Sequence, residues 1–320
     1  MNRRRFLVAS LAAALAVPLG AASQQDGRLP RVGYLTSESR SVDVESFELG
    51  LRDLGYTPGQ DILIDYRFAD WRVEKIPSLV AELLRLRPDV FLAASPYVIR
   101  AATHATKTMP IVGIDLETDP QKAGWIKSIA KPGANLTGFF LDIPELSGKQ
   151  VQLLAETVVR LRRVAVLWDA DAATLQFDAI KAAAQAQRRS GLSLAFRQPS
   201  EYPGALSSAA RQPAEAIVVL SSPAVFMNLK ALAELALQHH LPSISVFPQF
   251  AEVGGLIGYG PVLPDLFRRS ARYVDRILKG ATPAELPIQR PTIFRLIINL
   301  KTARALGVTI PPSLLARADR

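Results

Sequence analysis

The stretch "RRVAVLWD", residues 162–169, decides the fold. Two arginines lead into five apolar residues, Val164 to Trp168, which Asp169 closes. A short, partly β-branched apolar run bounded by polar residues reads as a buried strand. Its weight comes from where it stands, because "RVGYL" at 31–35 has the same form and the same alternation follows each of them. After 31–35 come strands "ILIDYRF" (62–68), "VFLAAS" (90–95), "PIVGID" (110–115) and "LTGFFL" (136–141). Helical patterns over 44–54, 75–86 and 98–106 lie between them, and Gly55-Tyr56 with Pro58-Gly59 marks a turn. After 162–169 come "LAFRQ" (194–198), "AIVVLSS" (216–222), "SISVF" (243–247) and "LIGYG" (256–260), with helices over about 174–189, 203–212 and 224–239.

Such alternation is the pattern of βαβ units on a parallel sheet. Its restart at 162 divides the chain into two doubly wound, Rossmann-like α/β lobes rather than one large sheet. A further helix, "LFRRSARYVDRILKG" (266–280), and a strand with helix, "FRLIINLKTARALG" (294–307), remain. Three crossings between the lobes place them, the helix returning to the first lobe and the tail to the second. Lobe one is therefore expected over 30–138 plus about 261–293, and lobe two over about 139–260 plus 294–320.

The first residues carry a different signal. Arg3, Arg4 and Arg5 precede an apolar run that Pro18 breaks and small residues follow. This is the order of a secretory leader, with cleavage near Ala22 and a periplasmic product. The run falls short of the roughly 20 apolar residues a spanning helix needs. The segment Asn2-Arg3-Arg4-Arg5-Phe6-Leu7 also resembles a twin-arginine motif. With no cysteine in 320 residues, disulfides, thiolate metal sites and a lipid-anchored cysteine are excluded. The formal charge of +9 includes the three leader arginines, and the remaining basic residues are interspersed with acids, so the expectation is a solvated surface and no nucleic acid.

Catalytic signatures are missing. Gly148-Lys149 is followed by Gln150 where a phosphate loop needs Ser or Thr, and Ile143 stands where its first glycine belongs. The glycine-rich "GGLIGYG" (254–260) reads as a strand and tight crossover, and no GxSxG elbow occurs. His104, His239 and His240 have no metal-ligand spacing, so no metal and no cofactor are expected. The site then falls by default in the cleft between the lobes, at the carboxyl ends of the strands. Residues placed there are Thr36 and Ser37, Ser95 and Pro96, Asp115, Phe139, Asp169, Ser221 and Ser222, Phe247 and Tyr259. In the acidic loop Asp115, Glu117 and Asp119, either Asp115 or Asp119 could meet a ligand ammonium, while Ser95 at a helix N-terminus could meet a carboxylate. Phe139, Phe247 and Tyr259 would supply an apolar or cation-binding wall.

Four blocks carry a family resemblance: "FELGLRDLGYTPGQDILIDYRFADWRVEKIPSLVAELLRLRPDVFLAA" (47–94), "IAKPGANLTGF" (129–139), "PELSGKQVQLLAE" (144–156) and "RPTIFRLIINLKTARALGVTIPPSLLARAD" (290–319). Together they resemble the TrpX-type substrate-binding proteins of ABC transporters over essentially the whole chain after the leader. The resemblance implies a type I periplasmic binding protein, in which three strands join two lobes that close on a small molecule. It also implies a membrane permease as partner, a monomer, no catalysis, and a small polar solute, amino-acid-like or aromatic in the named members. Where relatives carry Gly-Asp-Pro after the fourth strand, "DLETDPQKAGW" (115–125) keeps Asp119-Pro120 but adds acids and Trp125. Two other readings remain open: a periplasmic enzyme using Asp115 or Asp119 as base, and a binding subunit that hands its closed form to a sensor.

Overall fold

A computed structural model describes residues 28–319. The leader and its expected cleavage site lie outside the described residues. The first sheet is built from β1 (Arg31–Thr36), β2 (Leu63–Phe68), β3 (Val90–Ala94), β4 (Ile111–Asp115) and β5 (Leu136–Phe140). Helices α1 (Val42–Arg52), α2 (Ile76–Arg85) and α3 (Pro96–Ala105) connect its early strands. The spatial order is β2-β1-β3-β4-β5, and every neighbouring pair is parallel. All five residues of β3, β4 and β5 are buried, as expected for parallel strands covered on both faces.

The chain then passes into α4 (Ile143–Thr157), β6 (Arg163–Asp169), α5 (Thr174–Ala186), β7 (Ser190–Phe196), α6 (Tyr202–Arg211), β8 (Ala216–Val219), α7 (Pro223–Met227) and α8 (Leu229–Gln238). After these come β9 (Ser243–Ser245), α9 (Gln249–Glu252), β10 (Ile257–Pro261), α10 (Leu263–Leu278), β11 (Phe294–Ile298), α11 (Leu300–Ala305) and α12 (Pro312–Leu315). The second sheet has the order β7-β6-β8-β9-β10-β11. Read from β6, this repeats the order of the first sheet and adds β11 as an antiparallel edge strand on β10. The two-lobed, doubly wound α/β reading is therefore what the chain adopts.

Helix α10 leaves the second sheet and lies along α1, against β3, β4 and β5 of the first. The two helices cross at Gly50, where a Cβ would stand 2.2 Å from the carbonyl oxygen of Arg268. Three connecting segments run side by side between the sheets. Phe140 N–H donates to the Gln289 carbonyl at 3.0 Å, and Val262 N–H donates to the Ile293 carbonyl at 3.0 Å. The Arg290 guanidinium ties the third segment to the first through the Phe140 carbonyl, at 3.2 Å.

Some elements differ from the sequence reading. Strand β7 occupies 190–196 rather than 194–198, because its first half is a polar edge whose ladder begins at Ser190, paired with Arg163. The single helix expected over 224–239 breaks at Asn228, whose side chain donates back to the Ala224 carbonyl at 2.8 Å. Helix α4 lies in a stretch quoted above only for its resemblance. Its Pro144 stands in the first turn, where no amide is needed, and Asp142 caps it through Glu145 N–H.

Candidate functional site

In a sheet of order 2-1-3-4-5 the connections leave to opposite sides at the first and third strands, and a crevice opens at their carboxyl ends. Here that point lies between β1 and β3, and the second sheet repeats it between β6 and β8. The residues following those strands meet around one cavity of about 60 Å³. From the first sheet come Thr36 at the end of β1 with Ser37 and Glu38 after it, Trp71 after β2, Ser95 after β3 and Glu117 after β4. Across from them stand Ser222, Phe226 and Phe247, while α10 contributes Leu263 and Phe267.

Aromatic contacts close the two sides on each other. The Trp71 ring stacks on Phe226 with centroids 5.6 Å apart and planes 26° apart. Phe226 in turn meets Phe247 edge-on at 5.0 Å. Trp71 is held by its own N–H, which donates to the Ser37 carbonyl at 2.7 Å and ties the loops after β1 and β2 together. Both Trp71 (φ 64°) and Ser95 (φ 110°) have positive φ, a conformation costly for non-glycine residues and concentrated at functional sites. Ser95 earns its place at the start of α3, where its hydroxyl accepts from Val98 N–H at 3.4 Å.

The polar content of the cavity is acidic. Asp115, 1% exposed, lies directly behind the wall. Its Oδ1 accepts from Glu117 N–H at 2.7 Å and Thr118 N–H at 3.1 Å, and its carboxyl also meets the Glu117 carboxyl, side chain to side chain. These bonds turn the Glu117 side chain into the cavity, where its Oε1 receives the Ser221 hydroxyl from the other sheet. Burial, reinforced by the charge of Glu117, holds the Asp115 carboxyl well above the usual range. Burial raises Glu117 as well, against the pull of the Ser221 hydroxyl. On the same side of the cavity, in the loop after β1, burial and the charges of Asp43 and Glu117 push Glu38 up to about 7, and burial pushes Asp43 up to about 6.

Five of the residues expected from sequence line this cavity: Thr36, Ser37, Ser95, Ser222 and Phe247. Ser221, Asp115 and Asp169 stand immediately behind it, Ser221 bonded to Glu117 and Asp169 accepting from Asp171 N–H at 3.0 Å. Pro96 is buried as the first residue of α3. Three residues are elsewhere. Phe139 is 1% exposed and packs on Tyr273 and the Arg269 guanidinium within the first lobe, because β5 turns it toward α10. Asp119 caps its own turn by accepting from Gln121 and Lys122 N–H, and it borders an outer depression with Leu175 and Asp178. Tyr259 stacks on Phe294 beside the connecting segments. The residues missed were Glu38, Trp71, Phe226, Leu263 and Phe267, together with Glu117, which was seen only as part of an acidic loop. Among the described residues, no group of three or more His, Cys, Asp or Glu could hold a metal ion.

Comparison with known proteins agrees with this architecture. A family model described as ABC transporter substrate binding protein matches residues 33–320. A tyrosine-binding protein of Clostridioides difficile (strain R20291) is 25% identical over 268 residues, covering 82% of this chain and 76% of the relative. Among solved structures, a conserved domain protein from Vibrio cholerae superposes with a TM-score of 0.84 at 24% identity, over 91% of this chain and 99% of that one. A domain from Streptococcus pneumonia in complex with L-Trp superposes with a TM-score of 0.83 at 23% identity, over the same shares.

Proposed function

Because the chain belongs to the ABC transporter substrate-binding protein family and is the solute-binding component of such a transporter, we propose that it captures its solute in the cavity between the two sheets. The observation that carries this reading is the convergence on one cavity of residues following β1, β2, β3 and β4 with residues from the opposite sheet. A solute held there touches both sides only when they are closed, so its differential affinity favours the closed state. The lobes meet at 141–142, at 262 and at 290–293, where the three connecting segments absorb the change. The closed form is what a membrane permease recognises. The protein acts outside the cytoplasmic membrane as a monomer, after a leader ending near Ala22 is removed, and performs no chemistry on its cargo.

The test is to purify the exported protein from cells, denature it and identify the released small molecule by mass spectrometry. Rebinding of that compound to the refolded protein is then measured by calorimetry. A stoichiometric, chemically unaltered solute is the expected result, with an amino terminus near residue 23. An altered solute, or turnover that Glu117→Gln abolishes, would replace this reading with the periplasmic enzyme.

A further inference from the structure

Trp71 stands in backbone that ordinarily belongs to glycine. With Asp70 at φ 48° and Trp71 at φ 64°, the loop after β2 holds two successive non-glycine residues in the left-handed region. That conformation is rare for bulky side chains and persists where the surroundings enforce it. Here the surroundings are the other side of the cleft. Trp71 N–H is tied to the Ser37 carbonyl, and the indole stacks on Phe226 of the second lobe. Phe226 meets Phe247 in turn, and Phe267 of α10 lines the same space.

Four rings of the protein thus occupy the apolar part of the cleft, and about 60 Å³ is left between the two sides. A cavity that accepts a benzene ring measures about 150 Å³. An aromatic side chain of a solute therefore enters beside these rings only if Trp71 and Phe226 part, which undoes the contact that joins the lobes.

The polar part of the lining suits a zwitterionic head group. Glu38 and Glu117 offer carboxyl oxygens to an ammonium group. The Thr36 and Ser95 hydroxyls accept from Glu38 N–H at 3.2 Å and Val98 N–H at 3.4 Å, so each keeps its own O–H to donate. Ser37, 2% exposed, lines the cavity and has no side-chain bond among the described residues. Donors for a carboxylate and acceptors for an ammonium thus stand side by side on the first lobe.

We propose that the cavity selects a small amino acid, of the size of glycine or alanine, and that the Trp71 ring is what excludes an aromatic side chain. This assignment rests on the solute-binding reading and narrows it. Trp71 fills the space that a ring of the solute would take, and supplies from the protein the apolar cover that a larger solute would bring with it.

Calorimetry with glycine, alanine, phenylalanine, tyrosine and tryptophan, on mature protein unfolded and refolded to remove retained solute, tests the assignment. Glycine or alanine is expected to bind at least about tenfold more tightly than any of the three aromatic amino acids. Trp71→Ala should reverse the order, weakening alanine binding and strengthening phenylalanine binding, each by about tenfold or more relative to the parent. Trp71→Gly, whose backbone takes this φ without strain, should do the same, and thermal melting shows which variants fold. An aromatic amino acid that binds the parent as tightly as alanine overturns the size assignment and leaves the solute-binding reading standing. Folded Trp71 variants that still admit no ring overturn it too, as does binding by none of the five. If the mass-spectrometric test then releases no solute, the solute-binding reading falls with it.

Discussion

Replacing Glu38 by Gln should make the protein less sensitive to alkaline pH, and the size of the change follows from where Glu38 sits. Burial first, then the charges of Asp43 on α1 and Glu117 after β4, raise its carboxyl from 4.5 to about 7. A group whose pKa is raised on folding binds its proton more tightly in the native state than in the unfolded one. It therefore contributes stability below pH 4.5 that is lost as pH rises through 7. At about 1.36 kcal/mol per pKa unit, the full loss between pH 5 and pH 8 would be about 2.5 kcal/mol. Solvent at the half-buried side chain reduces this to on the order of 1–2 kcal/mol. Asp43, raised from 3.8 to about 6, adds a loss of the same sign over a slightly lower window. Because many other groups titrate between pH 5 and 8, the quantity to measure is the difference between the variant and the parent. Urea unfolding at pH 5, 6, 7 and 8 should show Glu38→Gln gaining on the parent by roughly 1–2 kcal/mol across the series. A difference that stays flat with pH would mean that Glu38 is solvated in the ligand-free protein, and the acidic cavity wall would have to be abandoned.

Further outcomes bear on closure and packing. Phe226→Ala removes both the stack on Trp71 and the edge contact with Phe247, so at about 0.5–1.5 kcal/mol for each aromatic pair, solute affinity by calorimetry should fall by roughly tenfold. Gly50→Ala forces a methyl group against the Arg268 carbonyl where α1 meets α10, and should cost about 1–3 kcal/mol, read as a drop of several degrees in melting temperature. Asp119→Asn alters a turn outside the cavity, so solute affinity should remain within twofold of the parent; a larger loss would return Asp119 to the site.

The two lobes were legible in sequence because parallel strands buried on both faces produce dense apolar runs, as in 90–94 and 163–169. The crossings were legible too, since a helix and a strand left over after two complete sheets must return somewhere. Edges were less so: β7 buries few of its residues, and its first half reads as loop. Of the cavity lining, sequence pointed to residues adjoining strand ends in the chain, such as Ser37, Ser95 and Ser222. Trp71 and Phe226 lie a few residues beyond their strands, inside a loop and a short helix, and only the folded loops bring their rings together. Phe267 belongs to a helix whose membership of the first lobe could be inferred, but whose rotation could not.

The acidic loop shows why the element that borders the cavity did not point to the residue that lines it. Asp115, Glu117 and Asp119 alternate along the chain, and nothing in their spacing distinguishes a ligand contact from a cap. The backbone decides it. Asp115 accepts the amides of Glu117 and Thr118, and Asp119 accepts those of Gln121 and Lys122, so both outer acids turn back on their own segments. Glu117 alone is left to extend across the cleft, where the Ser221 hydroxyl meets it. An acid one methylene longer than its neighbours is suited to that reach, while the shorter aspartates are suited to the tight turns they close. The length of the side chain, rather than its charge, separates the residue facing the cavity from the two that close turns of their own.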